Sequence, residues 1–165
     1  MEGALLFLPD TELHLTARHW TMISDTLHEK SCGRHESGAF LLGHAARSRR
    51  FVETIVYYDE LDAHAYDSGI VILHAAAFTA LWAICREREL EVVADVHIHP
   101  GSALQSHADI ANPMIAQKGH LAIILPKFAR APIEPATIGL YEYRGPHRWR
   151  SLGHRRITRH LKIGI

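Results

Sequence analysis

Apolar positions at Leu13, Ala17, Trp20, Ile23 and Leu27 recur every three or four residues, the period of a helix with one buried face, and predict a helix over residues 13–28. A second helical pattern covers residues 74–89, with Phe78, Leu81, Trp82 and Cys85 on its inner face. Shorter apolar runs read as strands. Residues 4–8 form one, closed by Pro9; residues 36–43 form a buried one, with residues 51–58 as its hairpin partner across the basic turn Arg47-Ser48-Arg49-Arg50. Residues 59–68 are polar loop. Residues 91–97 are short, apolar and β-branched, a buried strand, and a helix is expected from Ser106 to near Gln117. The unbroken apolar run 119–126 marks an interior strand. Residues 136–144 alternate as a further strand, while 149–152 and 156–163 are weaker and fit edge strands or a terminal helix. With no repeat or linker, this order predicts one α/β domain over residues 1–165, a mixed sheet flanked by helices.

The chemistry concentrates where the strand 91–97 ends. On a strand, side chains i and i+2 share a face, so His97 and His99 aim together at its carboxyl end. Pro100-Gly101 stops the strand, and Ser106 and Asp109 then have the Ser-x-x-Asp spacing of a helix amino terminus, placing Asp109 in the first turn. The pair alone is weak, because 14 His in the chain make about one His-x-His expected by chance. Two imidazoles, a carboxylate and a free position for water match a catalytic zinc site, whereas structural zinc favours four cysteine-rich ligands. Cys32 and Cys85 are far apart, in apolar surroundings, and supply no thiolate site. The competing reading makes His97 and His99 ordinary strand histidines and Ser106 and Asp109 a helix cap. A hydrolase also needs a proton carrier, and two strand carboxylates qualify. Glu36 opens a buried strand, and Glu53 lies within an alternating one; spacing does not rank them. Ser106 can offer its hydroxyl to a developing oxyanion.

Composition narrows the partners. A length of 165 residues, 47% hydrophobic and 22% charged, is ordinary for a globular domain. Net charge is zero, so no global field favours nucleic acid or membrane. The absence of a long apolar run, the acidic residue near the start and the two isolated cysteines lead us to expect a cytoplasmic protein. Charge is nonetheless uneven: from Arg144 onward there are seven Arg or Lys and no acidic residue. This tail reads first as charge protecting an edge strand, and second as a dock for an acidic partner or a nucleic-acid backbone. His74 and His120 are expected in the core or behind the ligands.

Glu36-Ser-Gly-Ala-Phe-Leu-Leu-Gly43, His97-Ile-His-Pro100 and Ser106-His-Ala-Asp109 together resemble the signature of the JAMM (MPN+, JAB) zinc metalloproteases over about residues 30–130. The resemblance implies that family's mixed-sheet, cytidine deaminase-like fold. It implies Zn2+ held by His97, His99 and Asp109, with Glu36 as general acid and base and Ser106 on the oxyanion side. It further implies an isopeptidase or peptidase that cuts after the carboxyl-terminal glycine of a ubiquitin-like protein. Deconjugation and precursor processing both fit, in a prokaryotic-type system beside activating and conjugating enzymes. The tail of the modifier is expected to lie along a sheet edge beside the zinc. The chain departs from the pattern in two places. Ile98 stands where the family usually has Ser or Thr, and the loop 100–105 is one residue shorter, which leaves fewer residues to deliver Ser106 and Asp109. That shortening supports the alternative of a weakly active or inactive scaffold of the same fold that binds a protein partner.

Overall fold

A computed structural model describes residues 10–164; the strand expected over residues 4–8 lies outside them. The chain runs β1 (Glu12–Leu15), α1 (Ala17–Ser31), β2 (Gly38–Ala46), β3 (Arg49–Tyr57), α2 (Tyr58–Leu61), α3 (Ala75–Arg88), β4 (Glu91–Ile98), α4 (His107–Ala111), β5 (Leu121–Leu125), β6 (Gly139–Gly145), β7 (Arg148–Ser151), α5 (Ile157–His160) and β8 (Leu161–Ile163). The strands form one eight-stranded sheet in the order β7-β6-β5-β4-β2-β3-β1-β8. β4 pairs parallel with β5 and antiparallel with β2, and β1 pairs parallel with both β3 and β8. The sheet is therefore mixed, with helices on both faces, as the pattern of the chain predicts.

Two apolar layers explain why the central strands read as continuous runs. Ala39 and Leu41 of β2 face Val96 and Ile98 of β4 and Ile23 and Leu27 of α1 in one cluster. Phe40 and Leu42 face Tyr58, Leu81 and Cys85 in the other. A strand buried on both faces has no polar side to alternate.

Several boundaries differ from the sequence pattern, each for a physical reason. Residues 12–15 are a strand, not the first turn of α1: Thr16 has extended backbone and accepts the N–H of His19, so the helix begins after it. Leu13 and Leu15 are inward-facing alternate residues, fixed by β3 and β8, partners distant in sequence. α4 stops at Ala111 instead of reaching Gln117, because Pro113 disfavours helical backbone at Asn112. The expected loop 59–68 begins with the helical turn α2, whose Glu60 caps the backbone N–H of Tyr57. Residues 135–137 form a 3-10 turn ahead of β6. The chain from residue 154 contains both expected forms, a short helix and then an edge strand. On α3 the buried stripe is Ala77, Leu81 and Cys85, and Trp82, one position round the helix, is 40% exposed. Cys32 is likewise exposed, at the end of α1. The basic residues after Arg144 supply both sheet edges, Arg148 and Arg150 on β7 and Lys162 on β8. Among the described residues no helix is long and apolar enough to cross a membrane.

Candidate metal centre

Asp95 and His97 share one face of β4 by the two-residue period of a strand, and His99 follows one residue past the strand's end. Opposite His97, across the antiparallel pair, stands Gly38. The Tyr58 ring fills the space a side chain would take there, and a Cβ would also meet Val96 O at 2.7 Å. Glycine therefore lets the aromatic floor close beneath the histidines. Ser37 ties the start of β2 to α1 through Leu27 O (2.7 Å), and its carbonyl accepts the N–H of Ile98 (3.1 Å). The backbone carrying Glu36 is thereby fixed against the end of β4.

His97 Nε2 and His99 Nε2 lie 3.0 Å apart. Asp109 meets both, Oδ1 at 3.2 Å from His97 and Oδ2 at 3.3 Å from His99. One ligand atom from each residue falls within 4.8 Å of the others. A tetrahedral ion with bonds of about 2.0–2.1 Å separates its ligand atoms by roughly 3.3 Å, so the three atoms already stand near three corners of such a tetrahedron. Two imidazoles and one carboxylate suit a divalent transition ion. A cation also resolves a local problem, since two nitrogens at this distance share at most one proton between them. Burial works against charge on His97, but the hydrogen bond and charge of Asp109, with Asp95 and Glu36 beyond, outweigh it and raise its pKa above the ordinary value. Burial likewise works against the Asp109 carboxylate, and the two histidines and the Ser106 N–H overcome it, holding its pKa far below the usual range.

α4 supplies Asp109 through a reciprocal cap. Ser106 N donates to Asp109 Oδ2 (2.6 Å), and Asp109 N donates to Ser106 Oγ (3.2 Å). The cap thus leaves Asp109 facing both histidines, and the Ser106 hydroxyl, used there as an acceptor, keeps its own proton to donate. The loop 100–105 delivers this cap despite its length because its backbone is pinned: Tyr141 donates to Ala103 O (2.7 Å), and Lys127 N donates to Gly101 O (2.9 Å). Phe128 N donates to His99 O (2.8 Å) from a turn in which Lys127, Phe128 and Ala129 all have positive φ.

Glu36 Oε1 stands 3.8 Å from His99 Nε2, beyond hydrogen-bond reach but within that of one intervening water. Glu53, level with it by spacing, pairs instead with His44 where both side chains are more than half exposed. Glu36, Asp95, His97, Ser106 and Asp109 line one cleft of about 480 Å³. Beside Gln105 and Asn112, its other walls are mostly apolar, with Ile70 and Ile72 from the segment before α3, Phe78, Met114, Ile124 and Trp149.

His120 is buried, with Nε2 2.5 Å from Asp95 Oδ2. His74 differs from expectation: it is exposed, held by Asp62 at 2.6 Å. Asp95 carries no signal of its own in the sequence, although it shares the two-residue period of His97 and His99. Nδ1 of His97 is buried with no partner among the described residues.

No family model matches the chain. It is 26% identical over 138 residues, 82% of this chain and 85% of the relative, to the protein named probable metalloprotease y4jG of Sinorhizobium fredii (strain NBRC 101917 / NGR234). Its fold is similar to the solution structure of protein DSY2949 from Desulfitobacterium hafniense, with a TM-score of 0.62 and 13% identity over 92% of both chains.

Proposed function

We propose that this chain is a zinc-dependent peptidase of the JAMM type, cutting after the carboxyl-terminal glycine of a ubiquitin-like protein. The observation that carries the reading is the convergence of His97, His99 and Asp109 in a cleft that also holds Glu36. The relative named probable metalloprotease supports the general activity. The substrate class and the choice of zinc rest on the resemblance of the motifs. His97, His99 and Asp109 hold the ion, which when bound polarises the scissile carbonyl and makes water acidic at neutral pH. Glu36 accepts the proton of the attacking water and returns it to the leaving amine. Ser106 directs its hydroxyl toward the charge that develops on the carbonyl oxygen. Trp149 places edge strand β7 at the border of the cleft, which suits an extended glycine-rich tail lying along that edge.

The test is cleavage of a ubiquitin-like protein fused through its carboxyl-terminal glycine to a reporter, together with metal analysis. Wild type is expected to carry zinc stoichiometrically and to cut at the glycine. Glu36→Gln is expected to retain zinc and lose about 10²–10⁴-fold in rate, the usual contribution of a general acid and base. A wild-type protein that folds without binding any divalent metal overturns the reading. One that holds zinc, leaves such fusions intact and captures a stable protein partner favours the scaffold of the same fold.

A further inference from the structure

A second pocket of about 220 Å³ opens at the amino end of β4. β4 forms one wall through Glu91, Val92 and Val93, and its cations come from the β2–β3 turn with Arg47, from β3 with Arg50, and from the turn before β5 with Lys118. His120, partner of Asp95, also lines the pocket. Arg50 reaches from β3 past β2 to donate to Val93 O (2.9 Å) and to Gly119 O. These bonds use two of the five N–H groups of a guanidinium, so the others remain available. Among the described residues no carboxylate lies within ion-pair distance of Arg50. Desolvation lowers its pKa, and Glu142 and Glu91 offset this only from a distance. Glu91 is the one acidic residue in the lining, and its Oε1 already accepts the N–H of Ala45 (2.9 Å). The pocket therefore presents three permanent cations against one carboxylate, partly out of water, where an uncompensated charge is costly.

We propose that this pocket binds an oxyanion of the phosphoryl class, as free phosphate or pyrophosphate or as the phosphoryl end of a nucleotide. Arg50, held in place by two carbonyls, presents a preorganised fork of the kind that recognises phosphate oxygens. Arg47 and Lys118 are exposed and add charge from opposite rims. Three cations converging from two segments distant in sequence suit a tetrahedral, multiply charged group better than a planar monocarboxylate. The site is independent of the hydrolase reading, since none of these three residues lines the metal cleft.

The experiment measures thermal stability and calorimetric binding with phosphate, pyrophosphate, adenosine diphosphate and acetate at matched ionic strength. It uses the full chain and the double variant Arg47→Asn/Lys118→Gln, which keeps the structural hydrogen bonds of Arg50; Asn also tolerates the positive φ of Arg47. Pyrophosphate is expected to raise Tm and acetate to leave it unchanged. Binding by the double variant is expected to weaken by about tenfold for each charge-assisted hydrogen bond that the substitutions remove. Adenosine diphosphate binding more tightly than pyrophosphate assigns the site to a nucleotide, and equal or weaker binding assigns it to the inorganic anion. Phosphate can also ligate a metal in the other cleft, so a response that survives in the double variant overturns the proposal. The absence of any response in wild type overturns it as well.

Discussion

β4 carries a cleft at each end, and the two ends differ in how their charged groups are held. At the carboxyl end, His97, His99 and Asp109 are fixed by a strand, a glycine-backed floor and a reciprocal helix cap, and their ligand atoms meet at 3.0–3.3 Å. At the amino end, Arg50 is anchored, but Arg47 and Lys118 stand exposed on turns. The first arrangement suits a small ion with a demanding geometry, the second a larger anion that flexible side chains close around. Regular elements create convergence, whereas turns create adaptable charge.

The difference is broken most directly at the ligands. Asp109→Ala removes one of three protein donors and leaves two imidazoles facing each other, and the metal content of the purified protein is expected to fall from stoichiometric to near zero. Arg47→Asn/Lys118→Gln is expected to leave metal content at the wild-type level. If the second variant also loses its metal, the two ends are not separate sites.

Between the ends lies the buried Asp95–His120 pair, lining one cleft through each partner. His120→Ala leaves the Asp95 carboxylate buried without its partner, expected to cost about 3–5 kcal/mol. The double variant Asp95→Ala/His120→Ala is expected to cost less than the sum of the two single changes, because it leaves no orphaned charge. Additive losses in urea denaturation would show that the pair contributes packing alone.

The carboxyl end is far more legible in the sequence than the amino end. His97, His99, Ser106 and Asp109 fall within thirteen residues, and strand and cap geometry act over such distances, so local rules bring them together. Glu36 and Glu53 are level by spacing because only the pairing of β2 with β4 sets Glu36 beside His99. Arg47, Arg50 and Lys118 belong to segments some seventy residues apart, and nothing in the Arg47-Ser48-Arg49-Arg50 turn foretells that Arg50 reaches Gly119. The same limit hides β1, whose partners β3 and β8 are remote, so that its leucines pass for a helical stripe.

Gly38→Ala probes how rigid the carboxyl end must be. The added methyl group meets the Tyr58 ring and Val96 O, and overpacking of a closed interior is expected to cost about 1–3 kcal/mol. His97 is the residue opposite Gly38, so zinc affinity is expected to fall together with stability, whereas pyrophosphate binding at the amino end is expected to hold. A stable variant with unchanged zinc affinity would show that the floor yields without disturbing the ligands.

The smallest effect concerns the apolar wall of the metal cleft. Asp62 accepts the backbone N–H of His74 (3.1 Å) and His74 Nδ1 (2.6 Å) on Oδ2, and the backbone N–H of His64 (3.0 Å) on Oδ1. It thus clasps both ends of the segment that presents Ile70 and Ile72 to the cleft. These donors, the His74 side chain foremost, push its carboxyl pKa down to about 2. A carboxylate whose pKa is depressed by folding stabilises the fold above its unfolded value of about 3.9 and loses that contribution as pH falls through the folded value. Asp62→Asn removes the charge, so a deficit in urea midpoint against wild type is expected at about pH 5, above the unfolded value of the carboxyl. It is then expected to shrink between about pH 4 and pH 2 as the wild-type carboxylate protonates. If the deficit persists unchanged at pH 2, shape rather than charge holds the clasp. Because Asp62 touches none of His97, His99 and Asp109, the variant is expected, on the proposed peptidase reading, to raise KM for a cleaved fusion while leaving kcat and metal content near wild type, which separates the apolar wall from the metal centre.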